Sequence, residues 1–114
     1  MSDCLFCKIA AGEIPCTEVF SNEKFIAFRD IAPQAPTHIL VIPRSHIAGL
    51  SDFTDADQKL AGELMTIAVK IAAKEGLVPT GYRFVINNGA DGGQTVAHLH
   101  LHILGGRALT WPPG

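Results

Sequence analysis

Residues 98–104 read His98-Leu99-His100-Leu101-His102-Ile103-Leu104. Imidazole and aliphatic side chains alternate, and in an extended strand successive side chains point to opposite faces. The alternation predicts a last strand over Ala97 to Leu104, with all three imidazoles on one face and Leu99, Leu101 and Ile103 on the other. At about 6.8 Å per two residues the outer histidines stand roughly 13 Å apart, beyond the ~2.0 Å bonds of a single ion. Three imidazoles on one surface therefore serve separate tasks. The plain alternative is a metal-chelating or half-buried polar face.

Moving toward the N-terminus, Asn87 to Thr95 (NNGADGGQT) reads as a glycine-rich loop and Tyr82 to Ile86 as a strand. From Thr54 the period lengthens: Leu60, Leu64, Ile67, Ala68, Ile71 and Ala72 recur at three- and four-residue steps, predicting one amphipathic helix. Thr54 with Asp57 supplies the capping pattern at its start, and Gly76 the stop. His38 to Ile42 is an apolar, partly β-branched strand halted by Pro43, and Ile31 to Thr37, with Pro33 and Pro36, is a loop. Thr17 to Phe20 and Lys24 to Phe28 flank Ser21-Asn22-Glu23 as a hairpin, after a short helix over Leu5 to Ala11 ended by Gly12 and Pro15. The expected architecture is α+β: a mostly antiparallel sheet of about five strands, one long helix, a short N-terminal helix, and no βαβ series.

The 114 residues leave room for one domain, expected over 1–114, and 47% hydrophobic with 18% charged residues suits a packed globule rather than a disordered chain. Nine Lys+Arg against eleven Asp+Glu give a net charge of −2, so there is no cationic surplus for a nucleic-acid backbone or an anionic membrane. No apolar run approaches the ~20 residues that cross a bilayer. The first ten residues, MSDCLFCKIA, hold no apolar run of the signal-peptide kind, so export is not expected. Three cysteines, two of them in Cys4-x-x-Cys7, fit a reduced, cytoplasmic setting with metal or redox chemistry better than a disulfide framework.

In the glycine-rich loop, Asn87, Gly89, Gly92, Gly93, Gln94 and Thr95 combine freely approaching backbone N–H groups with amide and hydroxyl donors, a cradle for one phosphate. A neutral imidazole beside such a cradle can attack phosphorus at neutral pH, which makes nucleotidyl transfer the chemical expectation.

The run His98 to Leu104 also resembles the signature of the histidine triad proteins, three histidines interleaved with apolar residues. The likeness extends over most of the chain: Leu5 to Ile9, Phe28 to His38, Gly92-Gly93-Gln94, and the tail Gly105 to Arg107 and Trp111 to Gly114 are similar to the nucleotide-binding, Hint-like branch. The resemblance implies a homodimeric purine nucleoside phosphoramidase that releases AMP or GMP and an amine through a nucleotidyl-histidine. By position, His100 is the nucleophile it implies, with His102 and His38 as a proton relay. Asn87, Gly93, Gln94 and Thr95 would meet the phosphate, Asp30 the ribose hydroxyls, and Phe6, Ile9, Phe28 and Ile31 the base. Thr95 stands where relatives often carry Ser and keeps the hydroxyl. The plainer roles are core packing for Ile9 and Ile31, a loop cap for Asp30, and a tail packed on its own subunit for Trp111, which the family's picture instead carries to the partner's active site.

Cys4 and Cys7 lie in no thioredoxin-like βαβ pattern; with His46 and His98 they form a Cys₂His₂ set suited to a closed, structural zinc site. Such a set is similar to that of the family's zinc-bearing branch. Cys16 has no partner in sequence and reads as a small apolar side chain. Two other functions stay open: a purine-nucleotide sensor or interaction protein without turnover, and a dinucleoside polyphosphate hydrolase. In the latter branch a Gln is expected where this chain has His102.

Overall fold

Pro43 decides where the histidine strand starts. In the computed structural model, which describes residues 3–114, the helices are α1 (Leu5–Ala10) and α2 (Gln58–Lys74). The strands are β1 (Glu18–Ser21), β2 (Phe25–Arg29), β3 (Thr37–Pro43), β4 (Tyr82–Val85) and β5 (Leu101–Gly105). They form one five-stranded antiparallel sheet in the order β1-β2-β3-β5-β4. The α+β architecture read from the sequence is the one observed, with element ends displaced by a residue or so. The exceptions are the long helix, expected from the Thr54 cap and found from Gln58 behind a 3₁₀ turn, and the last strand, expected from Ala97 and found from Leu101. Val41 pairs with Leu101, so the next positions of β5 would face Ile42 and Pro43, and Pro43 has no N–H to offer the ladder. The chain bends instead: the His98 N–H donates to Val96 O at 2.8 Å and the Leu99 N–H to Ile47 O at 2.6 Å.

The alternation survives that bend. Leu99, Leu101 and Ile103 join Ile39, Val41 and the Leu64, Ala68, Ile71 and Ala72 stripe of α2 in the larger core. On the other face Phe6 and Ile9 of α1 cover Ile26, Phe28, Leu40 and Ile42. Central β3 is thus buried on both sides, which explains its unbroken apolar run.

Local signals act as their chemistry dictates. Asn22 Oδ1 accepts from the N–H groups of Lys24 and Phe25 and closes the β1–β2 hairpin. Thr54 and Asp57 cap a short 3₁₀ turn, Asp55–Asp57, that leads directly into α2. At the other end Gly76 takes φ +76°, and the N–H groups of Gly76 and Leu77 close on Ala73 O and Ala72 O. No helix among the described residues is long and apolar enough to cross a membrane.

Candidate active site and metal centre

The histidines lie on the side of the sheet opposite α2, His102 within β5 and His98 and His100 in the bent segment just before it. His100, 4% exposed, has Nδ1 2.7 Å from the carbonyl oxygen of His98, and its ring meets the Phe6 ring edge-on at 5.1 Å between centroids. A carbonyl only accepts, so Nδ1 carries the hydrogen and Nε2 keeps the lone pair. His102 lies 4.9 Å from His100 between ring centroids, and its Nδ1 is 2.9 Å from His38 Nε2. The same His38 nitrogen is 3.5 Å from Asp30 Oδ2, while the Gln34 N–H donates to His38 Nδ1 at 3.0 Å. His102 Nε2 is buried and has no hydrogen-bond partner among the described residues.

Burial is the main influence on the His38 and His102 rings. It pushes His38 below the usual imidazole range against the opposing pull of Asp30. His102 is pushed to about 4 by burial and by the neighbouring His100 and His38, with Asp30 again opposing. An unfolded His102 takes a proton near 6.5, whereas the folded one resists it until about pH 4, so its contribution is complete above 6.5 and lost as pH falls toward 4. The thermal midpoint should therefore drop on acidification through that window, and His102→Gln should flatten the slope. An unchanged slope in scanning calorimetry would contradict this.

A cavity of about 280 Å³ shares a wall residue with two of the histidines, Phe6 against His100 and Asp30 against His38, although no histidine is among the residues that line it. Phe6, Ile9, Phe28, Asp30, Ile31 and Thr95, six of the residues picked from sequence, line it. Ile9 belongs to the second core cluster as well, whereas Ile31 is fully exposed at the rim and has no packing role. Asp30 Oδ1 accepts from the Ala32 N–H at 2.8 Å, so the carboxylate is both a loop cap and a cavity wall. Sequence reasoning missed Leu5, Ile14, Pro15, Arg29, Leu40 and Val96 in the lining and took Cys16 as ordinary packing although it also lines the cavity. Only the antiparallel closure of the sheet against α1 brings these separated apolar residues together.

The glycine-rich loop is split among tasks. The amide nitrogen of Gln94 donates to Ala48 O and Val96 O and its oxygen accepts from the Gly89 N–H, so this side chain braces the loop instead of facing the cavity. Gly92 is required because a Cβ there would lie 2.4 Å from Asn88 O, and Gly93 takes φ +81°. Asn87 lies with Trp111 along a separate groove of about 610 Å³ beneath the C-terminal tail. Trp111 is 80% exposed, with the guanidinium of Arg83 over its ring at 6.0 Å. Within one chain, then, Asn87 and Trp111 stand apart from the cavity.

The metal candidates do converge. Cys4 Sγ and Cys7 Sγ lie 3.2 and 3.5 Å from His98 Nδ1, and Cys7 Sγ is 3.3 Å from His46 Nδ1. The four ligand atoms fall within 4.8 Å of one another. Zinc bonds of about 2.3 Å to sulfur and 2.0 Å to nitrogen give tetrahedral S···N edges of roughly 3.5 Å, so the set fits that ion. His98 is completely buried, and its Nε2 is 2.8 Å from Pro43 O; the carbonyl fixes the hydrogen on Nε2 and leaves Nδ1 free to ligate. Asp30, His38 and His102 form a second close group. There the Gln34 N–H holds His38 in the same Nε2–H tautomer as His98, but this puts the hydrogen on the nitrogen that faces the cluster.

Residues 11–109 match the family model of the HIT domain. The chain belongs to the HIT domain family. It is 55% identical over 112 residues to an uncharacterized HIT-like protein of Synechococcus elongatus, spanning 98% of this chain and 97% of the relative. It is 49% identical over 115 residues to a 14 kDa zinc-binding protein of Zea mays, spanning 99% and 89%. Among solved structures, a HIT family hydrolase from Legionella pneumophila superposes with a TM-score of 0.97 at 56% identity, covering 98% of this chain and all of that one. In this HIT protein His98 joins a thiol–imidazole cluster through its side chain and holds His100 through its backbone carbonyl.

Proposed function

We propose that this HIT protein hydrolyses purine nucleoside 5′-phosphoramidates, AMP or GMP linked to an amine, by way of a nucleotidyl-His100 intermediate. The observation that carries the reading is the His100 Nδ1–H bond to His98 O, which leaves Nε2 as an oriented, neutral nucleophile at a buried position. In the first step a bond forms from His100 Nε2 to phosphorus and the P–N bond breaks, the amine leaving with the electron pair and taking up a proton. In the second, the hydroxide left by the water that protonated the amine adds to phosphorus and His100 is released, so that one water is consumed. The HIT family hydrolase among the structural neighbours supports the hydrolytic class.

The cavity supplies the rest of the site. Its aromatic and aliphatic walls from Phe6, Ile9, Phe28 and Ile31 suit a flat base. Asp30 takes the ribose hydroxyls, Thr95 donates its hydroxyl to the phosphate, and His102 with His38 completes the catalytic group. Gly93 allows the loop backbone its left-handed turn. Cys4, Cys7, His46 and His98 would hold a structural zinc, which stiffens the N-terminus and has no open ligand position for the reaction. The zinc-binding relative from maize supports that assignment. The thiols and the nucleotide substrate suit a cytoplasmic protein.

Pairing of two copies as a homodimer would give the half-exposed edge strand β4 and the exposed Met65 and Val69 of α2 a cover. The predicted solution mass is twice 12.2 kDa, read by sedimentation, and a monomer at micromolar concentration would refute the pairing.

The deciding experiment mixes the protein with a nucleoside phosphoramidate and searches by mass spectrometry for a nucleotidylated peptide containing His100. A sensor without turnover gives no adduct and no released amine. Asp30→Ala should weaken AMP binding by about tenfold, the loss of one or two hydrogen bonds to a charged group. Unchanged affinity by calorimetry would remove Asp30 from the ribose site.

A further inference from the structure

The resemblance drawn from the sequence treats His38 and His102 as a proton relay, but the hydrogen bonds around them run in one direction only. A backbone N–H can only donate, so the Gln34 N–H at 3.0 Å requires a lone pair on His38 Nδ1. A neutral imidazole has one N–H, which must then be on Nε2. Asp30 Oδ2, 3.5 Å from that nitrogen, favours the same placement, because a carboxylate opposes a lone pair and attracts a hydrogen. His38 Nε2–H in turn meets His102 Nδ1 at 2.9 Å, so the His102 hydrogen is on Nε2, the buried atom with no partner among the described residues.

We infer that the Gln34 amide and the Asp30 carboxylate lock the His38–His102 pair into a single direction, so that His102 presents a permanent neutral Nε2–H donor and neither ring carries a proton through the reaction. This rests on the proposed phosphoryl-transfer reading and deepens it. A proton moved from His38 to His102 would leave His38 an imidazolate, and a proton added to His102 Nδ1 from elsewhere would set two N–H groups against each other across 2.9 Å. The groups that face the pair are Asp30 from the loop after β2 and His100 from the segment before β5; the balance of their charges with burial keeps His102 neutral, at about 4. His38 and the Gln34 amide are therefore positioning groups. The orphan donor of His102 is buried in the unliganded chain and would meet a phosphoryl oxygen where substrate enters next to His100. The departing amine takes its proton from a water molecule, and the hydroxide left behind adds to phosphorus in the second step, so one water is consumed in all.

The test is a long-range ¹H–¹⁵N correlation spectrum of the imidazoles in the full-length protein from pH 5 to 8. The expected result is one N–H on each ring, at Nε2 of both His38 and His102, with no titration of His102 across the range. A hydrogen on His102 Nδ1, or a His102 midpoint between pH 5 and 8, overturns the inference. Activity supplies a second reading, because glutamine places a neutral N–H donor near the position of His38 Nε2 and cannot pass a proton. His38→Gln should recover about tenfold or more of the activity lost in His38→Ala, with the acid limb of the pH profile unmoved. Equal losses in the two variants, both shown to be folded, would restore the relay. A missing His100 adduct would sink the proposed reaction while leaving the spectrum to decide the direction of these bonds.

Discussion

His100→Ala should retain AMP binding within a few-fold while turnover of a nucleoside phosphoramidate falls by about 10⁴ or more, because removing the nucleophile deletes the covalent path and not the pocket. The cavity walls are contributed by Phe6, Ile9, Phe28, Asp30 and Leu40, none of which depends on the His100 imidazole for its place in the backbone. The variant opens a small void against Phe6, so some loss of stability accompanies it. Calorimetric titration with AMP and an amine-release assay separate the two effects. Turnover within tenfold of the parent would refute His100 as nucleophile.

Loss of the metal should have the larger effect on stability. Cys4 lies at the start of α1, where its thiol also accepts from the Cys7 N–H at 3.4 Å, and Cys7 lies within that helix. The proposed zinc, shared with His46 and His98, would clamp a six-residue helix onto the sheet, a helix far too short to persist without tertiary contacts. Chelation should lower the thermal midpoint by roughly 10–20 °C, as expected for the loss of about 3 kcal/mol from a chain of this size. Because Phe6 and Ile9 ride on α1, the cavity should loosen at the same time, and activity of the still-folded protein should fall in part. Elemental analysis of protein purified without added metal is the first check, and less than near-stoichiometric zinc rejects the site. Turnover abolished in folded, metal-free protein and restored by zinc would show a catalytic ion, and the role of His100 would need to be rebuilt.

Much of the architecture was already legible in periodicities. The change from period 2 to steps of three and four residues separates β5 from α2, and Asn22, Thr54, Gly76 and Pro43 mark turns and ends through local chemistry that needs no distant partner. Alternation in 98–104 likewise decides which side chains enter the core, since a bend before Leu101 changes the hydrogen bonding without moving Leu99 or His100 to the opposite face.

What the tertiary structure alone decided is how residues far apart in the chain divide the work. Pro43 was readable as the end of β3, but only the register Val41 to Leu101 makes it the reason that β5 starts late. Gln94 reads as a phosphate donor, but its amide is occupied by Gly89 and Val96 of its own loop and by Ala48 from the distant segment after β3. The side chain of His98 faces two thiols and its carbonyl faces His100, a double role that no spacing rule contains. Above all, the state of His102 depends on a backbone N–H at Gln34, reached through His38. Sequence patterns report which face a side chain takes, because that follows from local geometry. The hydrogen-bond direction and burial that decide its protonation come from groups that meet only when the sheet closes.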